Sequence, residues 1–195
     1  MIARRSHYEI AFERYLDLRG TPYVPVEDIR RRLRGSIGAK SFDYIVYPPG
    51  GPACLVDVKG RKTSHLADDG DCRQKTWVTR ADASDLSEWQ RIFGAGFVGM
   101  FAFGYWIADP RASDMLKTRG DVFDFGGRLY SFWLVAVDDY ARHQKQLSRS
   151  WETVSIPRSV FQRISRRLES CWSAAPCGLR TVGRPAGSVC GPCGM

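Results

Sequence analysis

The sequence lacks an apolar run of about 18 residues, the length that a membrane-spanning helix requires. Its first residues, MIARRSHYEIAFERYL, also lack the apolar core of a secretion signal, because charged residues appear at once. We therefore expect no membrane association and a cytoplasmic location, where the six cysteines would be mostly reduced. Histidine is scarce, and His7, His65 and His143 do not cluster in the sequence.

The composition is that of one sizeable globular domain, since the 195 residues are 44% hydrophobic and 26% charged. The net charge is +8, from 29 Lys and Arg against 21 Asp and Glu, and most of the basic residues are arginine. Arginine suits bidentate phosphate contacts, so the balance favours an anionic partner such as nucleic acid. A basic, solvated surface without such a partner is the alternative.

Hydrophobic periodicity and turn residues predict alternating helices and strands. Ser6-His7-Tyr8-Glu9 is a capping-box pattern that begins a helix, which Gly20 ends. Extended segments or strands are predicted at 21–26, 41–51, 53–62, 97–107, 128–140 and 151–156. The segment 41–51 is predicted to run into a Pro-Gly turn. Further helices are predicted at 26–35, 83–94, 138–149 and 157–170. This order predicts an α/β fold in which helices pack on a mixed sheet.

The last residues differ in character from the rest of the chain. Residues 173–195 are rich in Gly, Pro and Cys, which predicts a disordered tail after a domain over 1–172. The CGPC at 190–193 has the spacing of a redox pair, but it lacks the flanking strand and helix of a thiol oxidoreductase. Four cysteines could instead bind zinc: Cys171, Cys177, Cys190 and Cys193. A structural zinc site usually has two close pairs of ligands, whereas only Cys190 and Cys193 form such a pair.

The stretch ACLVDVKGRK, residues 53–62, places a carboxylate and an ammonium inside an apolar strand. Burying either charge alone is unfavourable, and the period of two places Asp57 and Lys59 on the same face. Such a pair suits metal-assisted phosphodiester cleavage, in which the carboxylate binds Mg²⁺ and the lysine positions water or stabilises negative charge. A surface strand with a simple ion pair is the alternative.

A single carboxylate would bind Mg²⁺ weakly, so neighbouring elements should supply others. Asp43 interrupts the apolar segment just before this strand, and a short hairpin would place it near Asp57. Glu9 and Glu13 lie along one side of the first helix and could reach over the edge of the sheet. Glu9 also serves the capping box, and Glu13 also fits a solvated helix face.

These residues resemble the PD-(D/E)XK nuclease superfamily, which has the restriction-endonuclease-like fold, a mixed central β-sheet flanked by α-helices. Within it, the chain is most similar to the Holliday-junction-resolvase-like branch. The resemblance rests on Glu9 with Tyr15-Leu16 and Gly20 in the first helix, then Asp43, then Asp57-Val58-Lys59 followed by Arg61. It covers residues 6–107, whereas the extension 108–172 matches no part of the family. The chain has Asp57 where many members of this branch have Glu.

The resemblance implies a Mg²⁺-dependent DNA endonuclease, with Mn²⁺ as an alternative ion. It implies that Glu9, Asp43 and Asp57 bind the metal and that Lys59 is catalytic. Glu13 is a substitute for Glu9, and Gln90 lies where some branches have a glutamine near the site. A resolvase-like activity would further imply a homodimer, because two strands are cut symmetrically.

Basic residues flank the predicted site on both sides, where a phosphate backbone would lie. The candidates for DNA binding are Arg30, Arg31, Arg32, Arg34, Arg61 and Lys62. A solvated helix face with ion pairs explains the four arginines equally well. Two other functions stay open: a non-catalytic nucleic-acid-binding module on the same fold, and a protein-interaction module, which would require an exposed apolar patch.

Overall fold

The computed structural model describes residues 5–26, 40–63, 75–109 and 122–168. Within these ranges there are four helices: α1 (His7–Leu18), α2 (Arg80–Phe93), α3 (Val137–His143) and α4 (Arg158–Ile164). The strands of the first half are β1 (Tyr23–Pro25), β2 (Tyr44–Val46), β3 (Ala53–Thr63), β4 (Val78–Thr79) and β5 (Phe97–Ile107). Those of the second half are β6 (Phe123–Phe125), β7 (Arg128–Ala136), β8 (Lys145–Ser148), β9 (Thr153–Ser155) and β10 (Arg166–Arg167).

The strands form a mixed sheet, which confirms the predicted α/β class. Its order is β1-β2-β3-β5-β7-β10, with β6 paired to β7. Strands β3 and β5 are parallel along their whole length, and α2 lies between them in the chain as the crossover. The other pairs in this sheet are antiparallel, including the predicted β2–β3 hairpin. A second, three-stranded sheet has the order β4-β9-β8.

Each face of the large sheet is covered by a separate hydrophobic cluster. Val56, Val58 and Ala102 pack with α1 through Phe12 and Leu16. On the other face, the alternate residues of β3, β5 and β7 pack with α2, α3 and α4. Because the first half of β3 is buried on both faces, its sequence there is apolar except at Asp57, and a buried charged residue requires a partner.

The first helix begins and ends near the predicted residues. Ser6 is the N-cap of α1, and its side chain accepts a hydrogen bond from the Glu9 backbone N–H. The helix ends at Leu18, and Gly20 has a φ of 60°, a left-handed conformation that favours glycine. The predicted N-cap at Ser6 and the glycine stop therefore describe this element correctly.

The second helix begins earlier than predicted. The sequence predicts a helix from residue 83, but α2 begins at Arg80 and Thr79 is its N-cap. The Thr79 hydroxyl accepts a hydrogen bond from the Asp82 backbone N–H, while the Asp82 carboxylate accepts one from the Thr79 N–H. This reciprocal pair stabilises the helix start and leaves Ser84 and Asp85 within the helix.

Two predicted helices are too long because sheet pairing competes with helix formation. The helix expected at 138–149 ends at His143, and β8 follows it and pairs with β9. The helix expected at 157–170 ends at Ile164, and Arg166–Arg167 pairs with β7. Within the predicted segments 41–51 and 128–140, the strands are Tyr44–Val46 and Arg128–Ala136, and the predicted turn after the first is present, with the Gly51 N–H donating to the Pro48 carbonyl.

Several predictions lie outside the described residues. They are the helix over most of 26–35, with Arg30, Arg31, Arg32 and Arg34, the loop containing His65, and the tail 173–195 with its cysteines. Cys54 is described; it is buried, and its Sγ donates to the Pro52 carbonyl at 3.6 Å. No helix in the described part of the chain is long and apolar enough to cross a membrane.

Candidate active site

The candidate site lies where β2 stops pairing with β3. Strand β2 pairs with Cys54–Val56 of β3, and beyond Val56 no described strand pairs with that edge of β3. The Asp43 N–H donates to the Val56 carbonyl at 2.8 Å, and the Val58 N–H donates to Asp43 Oδ2 at 2.8 Å. The Asp43 carboxylate thus replaces the next backbone acceptor of β2 and is held at the open edge, beside Asp57.

Asp57 and Lys59 share one face of β3, as the period of two predicted. Lys59 Nζ lies 2.8 Å from Asp57 Oδ2 and 3.2 Å from Asp82 Oδ2. All three side chains are largely buried, with exposed fractions of 15%, 17% and 13% for Asp57, Lys59 and Asp82. The lysine therefore bridges a strand carboxylate and a helix carboxylate.

Asp82 is a site residue that the sequence analysis missed. It lies in the first turn of α2, where the capping box with Thr79 fixes its carboxylate. Lys40 Nζ also bonds Asp82, at 3.3 Å to Oδ1. One sequence signal could have identified Asp82. Thr79-Arg80-Ala81-Asp82 is a Thr-x-x-Asp pattern at the start of α2, the helix that connects β3 to the parallel strand β5.

The charges in this cluster shift its pKa values in different directions. Burial raises the pKa of Asp57 to about 7, and the negative charges of Asp43 and Asp82 add to this effect against the attraction of Lys59. Burial opposes the charge of Lys59, but Asp57 and Asp82 outweigh it and raise the pKa of Lys59. Lys59 is therefore an ammonium at neutral pH, and Asp57 is the group that titrates there.

The pKa of Asp82 is lowered. Burial acts in the opposite direction, but the charge of Lys59 and the hydrogen bonds from Thr79 outweigh it. Asp82 therefore stays ionised through the neutral range and provides Lys59 with a constant counter-charge.

A surface cleft opens beside Asp57 and Asp82, so the cluster borders solvent. It is lined by Lys40, Ser41, Phe42, Asp57, Asp82, Asp85, Leu86 and Trp89. Trp89 Nε1 donates to the Lys40 carbonyl at 2.7 Å, and the Lys40 N–H donates to Asp85 at 3.0 Å. These bonds fix residue 40 at the rim of the cleft.

Glu9 lies on α1, on the opposite face of the sheet from Asp57. Its carboxylate accepts a hydrogen bond from Ser6 Oγ at 2.8 Å, and its carbonyl accepts one from Tyr44 Oη at 3.1 Å. The second bond places this turn of α1 against the strand that directly follows Asp43. The neighbouring charges that act most strongly on Asp57 are nevertheless those of Lys59, Asp43 and Asp82.

Glu13 and Gln90 make other contacts. Glu13 pairs with Arg5 and accepts a hydrogen bond from Tyr23 Oη at 3.0 Å. Gln90 Oε1 accepts from the Gly99 N–H at 2.7 Å, and Gln90 Nε2 donates to Asp138 at 2.9 Å. Gln90 therefore joins α2 to the start of β5 and to α3 rather than contacting Lys59.

The two described DNA-binding candidates point to opposite faces of β3. Arg61 is on the face of Asp57 and Lys59, and its guanidinium lies 3.9 Å from the centroid of the Trp77 ring. Lys62 is exposed on the α1 face, with its Nζ 4.7 Å from the centroid of Trp106. Only Arg61 is therefore on the side of the candidate site.

The donor set is suitable for a hard cation, although the arrangement is incomplete as the side chains stand. No three or more His, Cys, Asp or Glu side chains within residues 5–26, 40–63, 75–109 and 122–168 are grouped so that they could hold a metal ion. Asp43 and Asp57 are two neighbouring carboxylates, and Mg²⁺ is commonly held by one or two carboxylates with waters and substrate phosphate. The residues present thus fit Mg²⁺ as a pair of ligands.

Comparison with protein-family models gives no match, and a search of curated proteins gives no significant match either.

Proposed function

We propose that this protein is a Mg²⁺-dependent endonuclease that hydrolyses DNA phosphodiester bonds, with a restriction-endonuclease-like fold and a resolvase-like preference for structured DNA. The observation that supports it best is the placement of Asp43, Asp57 and Lys59 together at the open edge of β3, beside a cleft. A mixed sheet with helices on both faces is consistent with that fold.

In this proposal Asp43 and Asp57 are the metal ligands, and Glu9 is the third, approaching from α1 around the open edge of β3. Bound there, Mg²⁺ would activate a water molecule and neutralise charge on the phosphate. Mn²⁺ would bind the same oxygen donors.

Lys59 stabilises negative charge on the phosphate as an ammonium. Its raised pKa favours this role over that of a general base, which would have to be neutral. Asp82 is a positioning residue, because it holds the Lys59 ammonium from the side opposite Asp57. Symmetric cutting of two strands would require a homodimer, which is part of the proposal.

A non-catalytic DNA-binding module is the second candidate. The observation that favours it is that Lys59 already bridges Asp57 and Asp82, so a cation compensates these carboxylates without a metal. The two proposals differ in their metal dependence and in the effect of removing Lys59.

Cleavage of labelled linear duplex, single-stranded and four-way-junction DNA, with Mg²⁺ and with EDTA, distinguishes them. For a nuclease we expect cutting by the wild type in Mg²⁺ only, and its loss in Lys59→Ala. Binding without cutting, unchanged by EDTA or by Lys59→Ala, would contradict the nuclease and support the binding module. Absence of DNA binding would contradict both.

A further inference from the structure

Arg61 and Trp77 form a stacked pair next to the candidate site. Arg61 lies two positions after Lys59 on the same face of β3, about 7 Å along the strand. Its guanidinium lies over the Trp77 ring at 3.9 Å from the centroid. Its two terminal nitrogens donate to the Gly60 carbonyl, at 2.7 Å, and to the Trp77 carbonyl. These two hydrogen bonds fix the orientation of the guanidinium plane.

The positive charge of this pair forms no salt bridge with a carboxylate in the described part of the chain. The hydrogen bonds of Arg61 go to backbone carbonyls, no Asp or Glu in the described ranges forms a salt bridge with it, and its Nε has no hydrogen-bond partner there. Arginine keeps its charge even when partly buried. The pair therefore presents a cation beside the two residues proposed to act on phosphate.

Trp77 keeps its ring accessible, unlike a core tryptophan. Its side chain is 37% exposed, whereas Trp89 in the adjacent helix is 2% exposed. A tryptophan ring with a guanidinium on one face can accept a nucleobase on the other, since every base has a flat π-face. The combination of a cation without a salt bridge and an accessible indole is typical of contacts with single-stranded nucleic acid.

We propose that Trp77, supported by Arg61, is a stacking platform for one unpaired nucleobase next to the phosphate that is cut. This inference rests on the proposed nuclease function and specifies its substrate class. In continuous duplex both faces of every base are covered, so only an unpaired or displaced base can reach the indole. The preferred DNA therefore contains an unpaired nucleotide at the cut, as in single strands, flaps, bulges or branches.

The test is equilibrium binding of the full chain to two DNAs that differ only in one unpaired nucleotide. One is a continuous duplex, and the other has a single 2-aminopurine bulge whose fluorescence reports stacking. Both are measured in EDTA and in a Lys59→Ala background, so that the DNA stays intact. Trp77→Ala is compared with Trp77→Phe, which keeps an aromatic face, and with Arg61→Lys, which keeps the charge without the planar group.

We expect Trp77→Ala to weaken binding of the bulged DNA by about 10-fold, to leave the duplex nearly unchanged and to abolish the 2-aminopurine quenching. Trp77→Phe should keep most of the preference, and Arg61→Lys should lose part of it. The control is Tyr47→Ala, which removes an exposed aromatic after β2, near the start of β3 and away from Lys59.

Each other outcome overturns the inference in a distinguishable way. An unchanged preference for the bulge in Trp77→Ala would overturn the stacking platform while leaving the nuclease in place. An equal loss on both DNAs would show a general defect and would also overturn it. If the parent binds neither DNA, the proposed function fails together with the inference.

Discussion

At the scale of single residues, the surroundings of Asp57 disfavour its ionised form. It is buried beside two other carboxylates, and burial together with their charge raises its pKa to about 7 despite Lys59. A carboxylate whose ionised form is disfavoured by its surroundings is a frequent property of catalytic and metal-binding sites. The raised pKa of Asp57 therefore predicts how both stability and activity change with pH.

Asp57→Asn should make the protein more stable at pH 8, by on the order of 1–3 kcal/mol, while abolishing Mg²⁺-dependent cleavage. The amide has a similar shape and removes one negative charge from the cluster, and Lys59 keeps Asp82 as its partner. Denaturant unfolding at pH 8 measures the difference.

The pH dependence of that difference gives the control. The pKa of Asp57 is raised in the folded state above its unfolded value of about 3.9, so the folded state binds more protons between these two values. Wild-type stability from this group therefore falls as pH rises from about 4 to 7, and the advantage of Asp57→Asn should vanish below about pH 4. A variant less stable than wild type at pH 8 would contradict this assignment.

Cleavage should rise with pH through the range in which Asp57 loses its proton. Because the metal binds the carboxylate and not the acid, the midpoint should lie at or below the Asp57 pKa of about 7 and move to lower pH as Mg²⁺ is increased. Initial rates across pH at two Mg²⁺ concentrations measure this shift. A midpoint that does not depend on Mg²⁺ would show that another group limits the rate.

Asp82→Asn should lower the pKa of Lys59, because one of its two carboxylate partners becomes neutral. Cleavage should fall roughly 10-fold, since the ammonium is then held from one side only. NMR titration of the Lys59 side chain measures the pKa. Asp85→Asn is the matched control, because Asp85 lines the same cleft but bonds the Lys40 N–H. An unchanged Lys59 titration in Asp82→Asn would contradict the positioning role.

The shared face of Asp57 and Lys59 could be predicted because strand periodicity is local. Asp82 could not be predicted in the same way, because its distance to Lys59 depends on where α2 begins and how it crosses the sheet. The polar segment before α2 contains no apolar period, so only the Thr79–Asp82 capping pattern indicates the start of the helix. Glu13 bonds Tyr23, and Gln90 bonds Gly99. These contacts could not be predicted either, because no sequence spacing indicates that the two residues of each pair meet.

Among the helices and strands, β3 determines the geometry of the site. After Val56, β3 is paired with β5 on one side and with no described strand on the other. On that open side the Asp43 carboxylate replaces the missing backbone acceptor. Gly60 lies between Lys59 and Arg61 and faces α1, where the Tyr8 ring covers it. The close approach of α1 to this strand therefore requires a residue without a Cβ.

Gly60→Ala should destabilise the fold by about 1–3 kcal/mol, because the new Cβ would lie 2.1 Å from Tyr8 Cδ2 and α1 would have to move. Thermal unfolding measures the loss. Gly51→Ala is the control, since its Cβ would meet only Pro48 at 3.5 Å. Adding Tyr8→Ala to Gly60→Ala should cost less than the sum of the two changes, and simple additivity would contradict the steric explanation.

The elements that could be predicted are those with strong local signals. The apolar run of β5 and the N-cap of α1 are correct to within a residue. The ends of the predicted helices at 138–149 and 157–170 are wrong because β8 and β10 gain backbone partners in β9 and β7. Such pairing depends on the whole sheet and overrides local helix preference.

For the chain as a whole, the large sheet separates two hydrophobic clusters and carries the charged cluster at its edge. Asp57, Lys59 and Arg61 are all on the α2 face, whereas Lys62 and Glu9 are on the α1 face. A mixed sheet covered by helices was predictable from the order of elements. The alternation along β3 assigns its charged residues to the two faces, and the packing of α1 on one face places Glu9 opposite Asp57.

The most direct measurement is the single-turnover rate of DNA cleavage in Mg²⁺ for wild type, Lys59→Ala and Lys40→Ala. Both lysines bond Asp82, but only Lys59 also bonds Asp57. We expect Lys59→Ala to slow cleavage on the order of 100-fold and Lys40→Ala to change it little. Equal rates for wild type and Lys59→Ala, or cutting that persists in EDTA, would contradict the metal-dependent site formed by Asp43, Asp57 and Lys59.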